Sequence, residues 1–482
     1  MSPNAPRQPA ASPVAPRTAA VEILCLWATT HNPVDHLYQT TAPRLAEIDR
    51  GLVKTLVYGV LRHKQYLDHI IRRFSRHPLR KMKVRTLMTL RLGVFQLLLL
   101  SRIPESAAVN ATVNTLKAAG QPGWLVGFVN GLLRAVARER TTLPTPETLA
   151  AAEPPLLNHP DWLVQRWQAR FGDPLTREIC RRNNTEPPLT LRTNTRRTGR
   201  ALLRARFEQS GIVVENGRYS PAALVVPAFP GAVAALPGYV EGQFQVQDEA
   251  AQLASLRITP LPARCRVLDG CAGLGGKTSH LAELLPAGGT LVAVEPDRRR
   301  YGLLRENLAR LGLGGSVDAL RTDLAQFAAT RPTPFDAILI DAPCSGTGVI
   351  RRQPDIRWNR QPEDLETYQR DQLQLLAIAA RLLKPGGVLV YATCSLEPEE
   401  NEQTVARFRE RHPDFTIDPA GPLLPEAAGR LVDADGCFHP TPADGLDGFF
   451  AARLRHRPAC RLPGQCLYSA CDCPTLNHPP RR

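Results

Sequence analysis

Residues 267–280 read VLDGCAGLGGKTSH. A short apolar run, Cys265–Leu268, ends in Asp269; glycines follow at 270, 273, 275 and 276, and a helix-like run extends from Lys277 to Leu285. A strand, a glycine-rich turn and a helix N-terminus in that order are how an α/β fold receives a nucleotide-like ligand. Downstream, strand-like and helix-like segments alternate to about residue 455: CRVL, TSHLAELL, TLVAVE, RYGLLRENLARLG, SVDALRTD, FDAILIDA, DLETYQRDQLQLLAIAARLL, GVLVYATC, EENEQTVARFRERH and GFFAARLR. The alternation predicts a largely parallel, Rossmann-like sheet with helices on both faces. Asp269, Glu295, Asp323, Asp341 and Cys394 all fall at predicted carboxyl ends of strands, where such sheets bind ligands.

Three ligands compete for the turn. Gly276-Lys277-Thr278 hints at the phosphate loop of an NTPase, but such a loop needs a glycine where this chain has Cys271. The glycine spacing also fails the dinucleotide pattern GxGxxG. S-adenosylmethionine needs a turn that allows close backbone approach and an acid at the end of the next strand to accept from ribose hydroxyls. Glu295, closing TLVAVE, meets that need.

Two cysteines lie just past strand ends, in Asp341-Ala-Pro-Cys344-Ser and Tyr391-Ala-Thr-Cys394-Ser. A thiol beside a methyl donor has a chemical reason in one reaction above others. Carbon 5 of cytosine is a poor nucleophile; a thiolate adding to carbon 6 makes it an enamine-like one. A base then removes the carbon-5 proton and the thiol leaves. An acid at ring nitrogen 3, for which Asp341 is placed, assists the addition. Spacing alone leaves open which cysteine attacks.

The formal charge of the 482-residue chain is +15, and residues 1–150 hold 20 Lys/Arg against 8 Asp/Glu. Arg72–Arg85, RRFSRHPLRKMKVR, carries seven basic residues and no acid. A basic lobe points to a polyanion, most simply nucleic acid. Residues 1–16 are Pro/Ala-rich and expected to be disordered. Residues 17–140 carry helical periodicity broken at Pro78, Pro104 and Pro122-Gly123, which predicts an all-helical domain. Residues 141–157 read as a Pro-rich linker, 158–255 as a small α+β RNA-binding segment, and 256–457 as the Rossmann-like domain. The Cys/Pro-rich tail 458–482 holds Cys460, Cys466, Cys471, Cys473 and His478 in no common zinc spacing, so no metal is expected. The N-terminus lacks the apolar core of a signal peptide and no apolar run reaches membrane-spanning length, which predicts a cytoplasmic protein with reduced thiols.

The segments VLDGCAGLGGKTSHL, DAPCSGTGVIRRQPDIRW and VYATCSLEPEENEQTV resemble those of the RNA cytosine-5 methyltransferases, the Sun/Fmu family. LVKTLVYGVLRHKQYLDHII and AAVNATVNTLKAAGQPGWLVGFVNGLLRAVARE resemble the NusB-type RNA-binding domain fused to the bacterial 16S ribosomal RNA member. HPDWLVQRW, NNTEPPLTLRTNT and GYVEGQFQVQDEAAQL resemble its middle segment. The resemblance implies S-adenosylmethionine-dependent 5-methylation of a cytosine in 16S rRNA, free or in a small-subunit assembly intermediate, by a monomer. It implies Cys394 as nucleophile, Cys344 in product release, and donor contacts from Cys271, Ala272, Gly273, Leu274, Gly275, Gly276, Lys277, Glu295, Asp323 and Asp341. Where the family usually has Ala-Pro this chain has Gly273-Leu274, and Glu295 is often Asp. Arg351, Arg352, Arg357 and Trp358, just after Cys344, are expected to contact RNA. The rival functions are a non-enzymatic, antitermination-like RNA-binding protein and a phosphate-loop NTPase.

Overall fold

A computed structural model describes residues 14–457 apart from 230 and 420–423; of the stretch 1–16 expected to be disordered, residues 1–13 lie outside the described residues, as does the Cys-rich tail 458–482, while Pro16 already opens the first helix. The first body is helical: Pro16–Thr30, Val34–Thr41, Glu47–Arg62, Lys64–Phe74, Val84–Leu99, Glu105–Ala118 and Gly123–Glu139. Prolines at 33, 78, 104 and 122 sit in the gaps between helices, where a missing N–H costs least. Val84–Leu99 runs through the middle and is buried nearly all round. Its one buried charge, Arg91, is neutralised in the core by two hydrogen bonds to Asp68, at 2.7 and 2.8 Å. Among the described residues no helix is long and apolar enough to cross a membrane.

A small α+β unit follows. Its strands β1 (Leu189–Thr193), β2 (Glu215–Asn216), β3 (Ala223–Val226) and β4 (Phe244–Val246) form an antiparallel sheet in the order β2-β3-β1-β4. The preceding residues 141–157 do not behave as a free linker. They carry a short helix, Pro146–Ala150, bury Leu143 and Leu157, and receive the Tyr66 hydroxyl at Pro144 O.

The third body is a seven-stranded sheet. Its strands are β5 (Arg266–Asp269), β6 (Thr290–Val294), β7 (Val317–Leu320), β8 (Phe335–Asp341), β9 (Leu383–Thr393), β10 (Phe415–Ile417) and β11 (Phe450–His456), in the order β10-β11-β9-β8-β5-β6-β7. The pairs from β7 to β9 are parallel; β11 and β10 close one edge antiparallel. The strand order reverses between β5 and β8, and the loops leaving these two strands therefore diverge and open a crevice. Apolar side chains fill both faces: Leu268, Ile338, Ile340, Leu389 and Tyr391 on one, Val267, Leu291, Leu339 and Val390 on the other.

Residues 351–358 bolt the three bodies together, and burial of Arg357 removes it from the RNA contacts expected of this segment. Arg357 is fully buried and donates to Asn158 O, Asn183 O and Asn184 Oδ1 at 2.6–2.9 Å. Trp358 packs on the helical core, donates to Leu61 O at 2.7 Å, and lies under the Lys64 ammonium. Asp355 accepts from Val34 N, and Arg352 joins Asp248 and Asp447 at 2.8 and 2.6 Å. Arg351 spends one nitrogen on Glu186 O. Buried carbonyls and carboxylates need donors, and the arginine forks supply them. Trp358→Ala is expected to cost about 3 kcal/mol of stability, less than the largest losses because the ring is half-buried. Urea unfolding would measure it, with donor binding retained.

Candidate active site

The crevice begins at Asp269, the buried last residue of β5. Its Oδ2 accepts from Thr278 Oγ1 at 2.7 Å and its Oδ1 from Cys271 N at 3.3 Å, which closes the turn onto the helix Gly276–Leu284. Burial pushes its carboxyl up to about 6. Gly275, at φ +86°, caps that helix in a conformation closed to most side chains. Glu295 leaves β6 nearly buried, its Oε2 accepting from Gly273 N at 3.0 Å and its Oε1 from Asp297 N at 2.8 Å. The acid after one strand thus holds the glycine turn after another. Asp323 caps the helix Leu324–Ala329 through Gln326 N at 2.7 Å. Asp341 ends β8 and pairs with Lys277 Nζ at 2.8 Å, the ammonium lying 4.7 Å from the centre of the Phe449 ring. A side-chain carbon added at Gly273 or Gly276 would meet nothing within 4 Å, so the turn is open on its outer side. From the small domain, fully buried Arg192 donates to Gly276 O at 2.9 Å and pairs with Glu283 at 2.7 Å, fixing the turn from behind.

Cys344 and Cys394 lie fifty residues apart in sequence and 3.3 Å apart at sulfur, both as free thiols. Parallel pairing of β8 with β9 sets Asp341 opposite Ala392, and each cysteine follows within three residues. The two loops then cross closely. Gly348 N donates to Cys394 O at 2.9 Å, and a side chain at Gly348 would sit 2.2 Å from Gly448 O. The hydrogen bond to Cys394, then burial, then the neighbouring charges push the Cys344 thiol well up. Burial likewise pushes up Cys271, which faces Asp269, Asp341 and Glu295.

The structure therefore gathers Cys271–Lys277, Glu295, Asp323, Asp341, Cys344 and Cys394 along adjacent strand ends, and leaves Arg351, Arg352, Arg357 and Trp358 outside the crevice. Lys277 is tied to a carboxylate, unlike the free lysine a phosphate loop requires. Arg192, Phe449 and the buried Glu400 were not anticipated. Glu400 stands in the acidic run EPEENE, where nothing in the sequence sets it apart from the acids beside it.

Residues 259–455 match the family model described as 16S rRNA methyltransferase RsmB/F, 14–138 match the NusB family, and 159–230 match the ferredoxin-like domain of RsmF/B-like methyltransferases. A probable ribosomal RNA small subunit methyltransferase B of Bacillus subtilis is 35% identical over 420 residues, covering 86% of this chain and 92% of its own. The chain belongs to the RsmB/F family of rRNA small-subunit methyltransferases. Its counterpart in Vibrio cholerae, ribosomal RNA small subunit methyltransferase B, is 36% identical over 439 residues, covering 91% of this chain and 95% of its own. A solved structure, PH0851, superposes with a TM-score of 0.73 at 25% identity over 92% of this chain and 99% of its own. The RsmB/F fold, a NusB domain before a Rossmann-like sheet, is the one described above, and the family uses S-adenosylmethionine on rRNA. The crevice fits that donor: a nearly buried carboxylate faces an open glycine turn, and further carboxylates stand at the next strand ends.

Two outcomes follow from the geometry. Gly348→Ala forces the two cysteine loops apart, and methyl transfer to rRNA is expected to fall roughly tenfold or more. Asp269, raised from 3.8 to about 6, contributes stability that is full below pH 3.8 and lost as pH rises through about 6. Asp269→Asn is expected to flatten that dependence, a change on the order of 2–3 kcal/mol between pH 4 and 7 in urea unfolding.

Proposed function

We propose that the enzyme methylates carbon 5 of a cytosine in 16S rRNA through a covalent bond between Cys394 Sγ and carbon 6. The observation that carries this reading is the pair of thiols 3.3 Å apart beside the donor turn. Methylation of a nitrogen or oxygen has no use for them. When bound, S-adenosylmethionine supplies an activated methyl group. Cys271 to Lys277 line its seat, Glu295 accepts from the ribose hydroxyls, and Asp323 and Asp341 face the rest of the donor.

Cys344, its thiol held protonated, is placed to donate to Cys394 Sγ across 3.3 Å. As Cys394 Sγ bonds to carbon 6, its thiol proton passes to the Asp341 carboxylate, which hands it on to ring nitrogen 3 while the Lys277 ammonium steadies the carboxylate charge. Carbon 5 takes the methyl group. Bonding of Cys394 to carbon ends its hydrogen bond and charge interaction with Cys344, the first of the causes that hold that thiol protonated; Cys344 then releases its proton to water and takes the carbon-5 proton in its place. The carbon–sulfur bond then breaks, Cys394 leaves as thiolate, and ring nitrogen 3 returns its proton. The base must be flipped or already unpaired for a thiol to reach carbon 6. The basic helical domain would hold the surrounding rRNA, with the protein acting as a cytoplasmic monomer.

Incubation with labelled donor and unmodified 16S rRNA is expected to place label at carbon 5 of one cytosine; label at another atom would sink the reading. On denaturing gels, Cys344→Ala is expected to accumulate a protein–RNA adduct and Cys394→Ala to form none. The opposite pattern would exchange the two roles.

A further inference from the structure

Beneath the thiols lies a carboxylate that the mechanism above does not use. Glu400 is fully buried and has no cationic partner among the described ion pairs. Its Oε2 accepts from Ser345 Oγ and from Ser395 Oγ, both at 2.5 Å. Its Oε1 accepts from Ser345 N at 2.7 Å and from Gln372 Nε2 at 3.1 Å. Ser345 and Ser395 are the residues that follow Cys344 and Cys394, and their hydroxyls lie 3.1 Å apart. Gln372 holds the same loop again through Pro343 O at 3.0 Å. A buried anion without a counter-charge is costly, and burial pushes Glu400 above the usual carboxylate range. Such a group persists when several donors converge on it. Here the donors come from the loops carrying the two thiols and from the long helix behind them.

We propose that Glu400 is a positioning residue: one carboxylate clamps the residue after each cysteine and thereby sets the distance and direction of both sulfurs. The proposal rests on the covalent reading above. Loss of the clamp frees the two loops to move separately, and a displacement of about 1 Å at a reacting atom costs roughly 100-fold in rate.

The test is single-turnover adduct formation between the full chain and 16S rRNA in a Cys344→Ala background. Glu400→Ala is expected to slow the adduct about 100-fold. In the chain with both cysteines it is expected to lower kcat to the same degree, with the KM for donor and rRNA within about threefold. Glu400→Gln is expected to stay within about threefold of the unsubstituted rate, because its amide oxygen still accepts from Ser345 N while the serine hydroxyls turn to accept from its N–H. Donor affinity measured by calorimetry reports folding. Should Glu400→Ala lose the donor, Ser345→Ala with Ser395→Ala removes the same ties from the other side, and the same slowing is expected. Unchanged rates in Glu400→Ala or in the double serine variant overturn the clamp, as does a glutamine variant as slow as alanine. Absence of adduct in Cys344→Ala alone overturns the covalent reading instead.

Discussion

The parallel ladder between β8 and β9, with Asp341 opposite Ala392, is the contact on which the site depends. Each strand contributes little chemistry alone. Side by side they deliver two thiols to one point, and the donor turn after β5 lies on the other flank of β8. The strand-order reversal at β5 and β8 opens the crevice there. Shifting the β8–β9 register by one residue would move one cysteine about 3.3 Å along its strand and turn its neighbours to the opposite face. The apolar filling of both sheet faces prevents that slip, so packing energy in the core is what holds a short distance at the rim.

Around this ladder the supports come from outside the sheet. Arg192, from the small domain, reaches Gly276 O behind the donor turn, and Glu295 reaches Gly273 N in front of it. The turn has glycine where the chain must bend sharply, and glycine alone would leave it loose. The fixed partners restore rigidity without filling the space on the ligand side. Catalytic geometry of this kind requires locked supports as much as the reacting groups.

Much of this was legible in the sequence because it was written in local patterns. Alternating strand and helix segments gave the sheet, and Pro-broken helical periodicity gave the N-terminal domain. The cysteines and carboxylates stood where apolar runs ended. What stayed hidden was long-range. Arg352, Arg357 and Trp358 look the same in sequence whether they face RNA or fill a domain boundary, and buried arginine is rare enough to mislead. Arg192 and Glu400 acquire meaning through partners as far as 84 and 55 residues away. Glu400 was further masked by the acids beside it.

The bolt at residues 351–358 begins seven residues after Cys344. Its far end, Trp358, is set in the helical domain, while Arg352 is anchored to acids of the two other bodies. The connection from the helical domain to the loop of Cys344 is therefore short and held at both ends. A rotation of the helical domain would carry the loop of Cys344 with it. The chain is built as a caliper, in which the position of one jaw fixes that of the other.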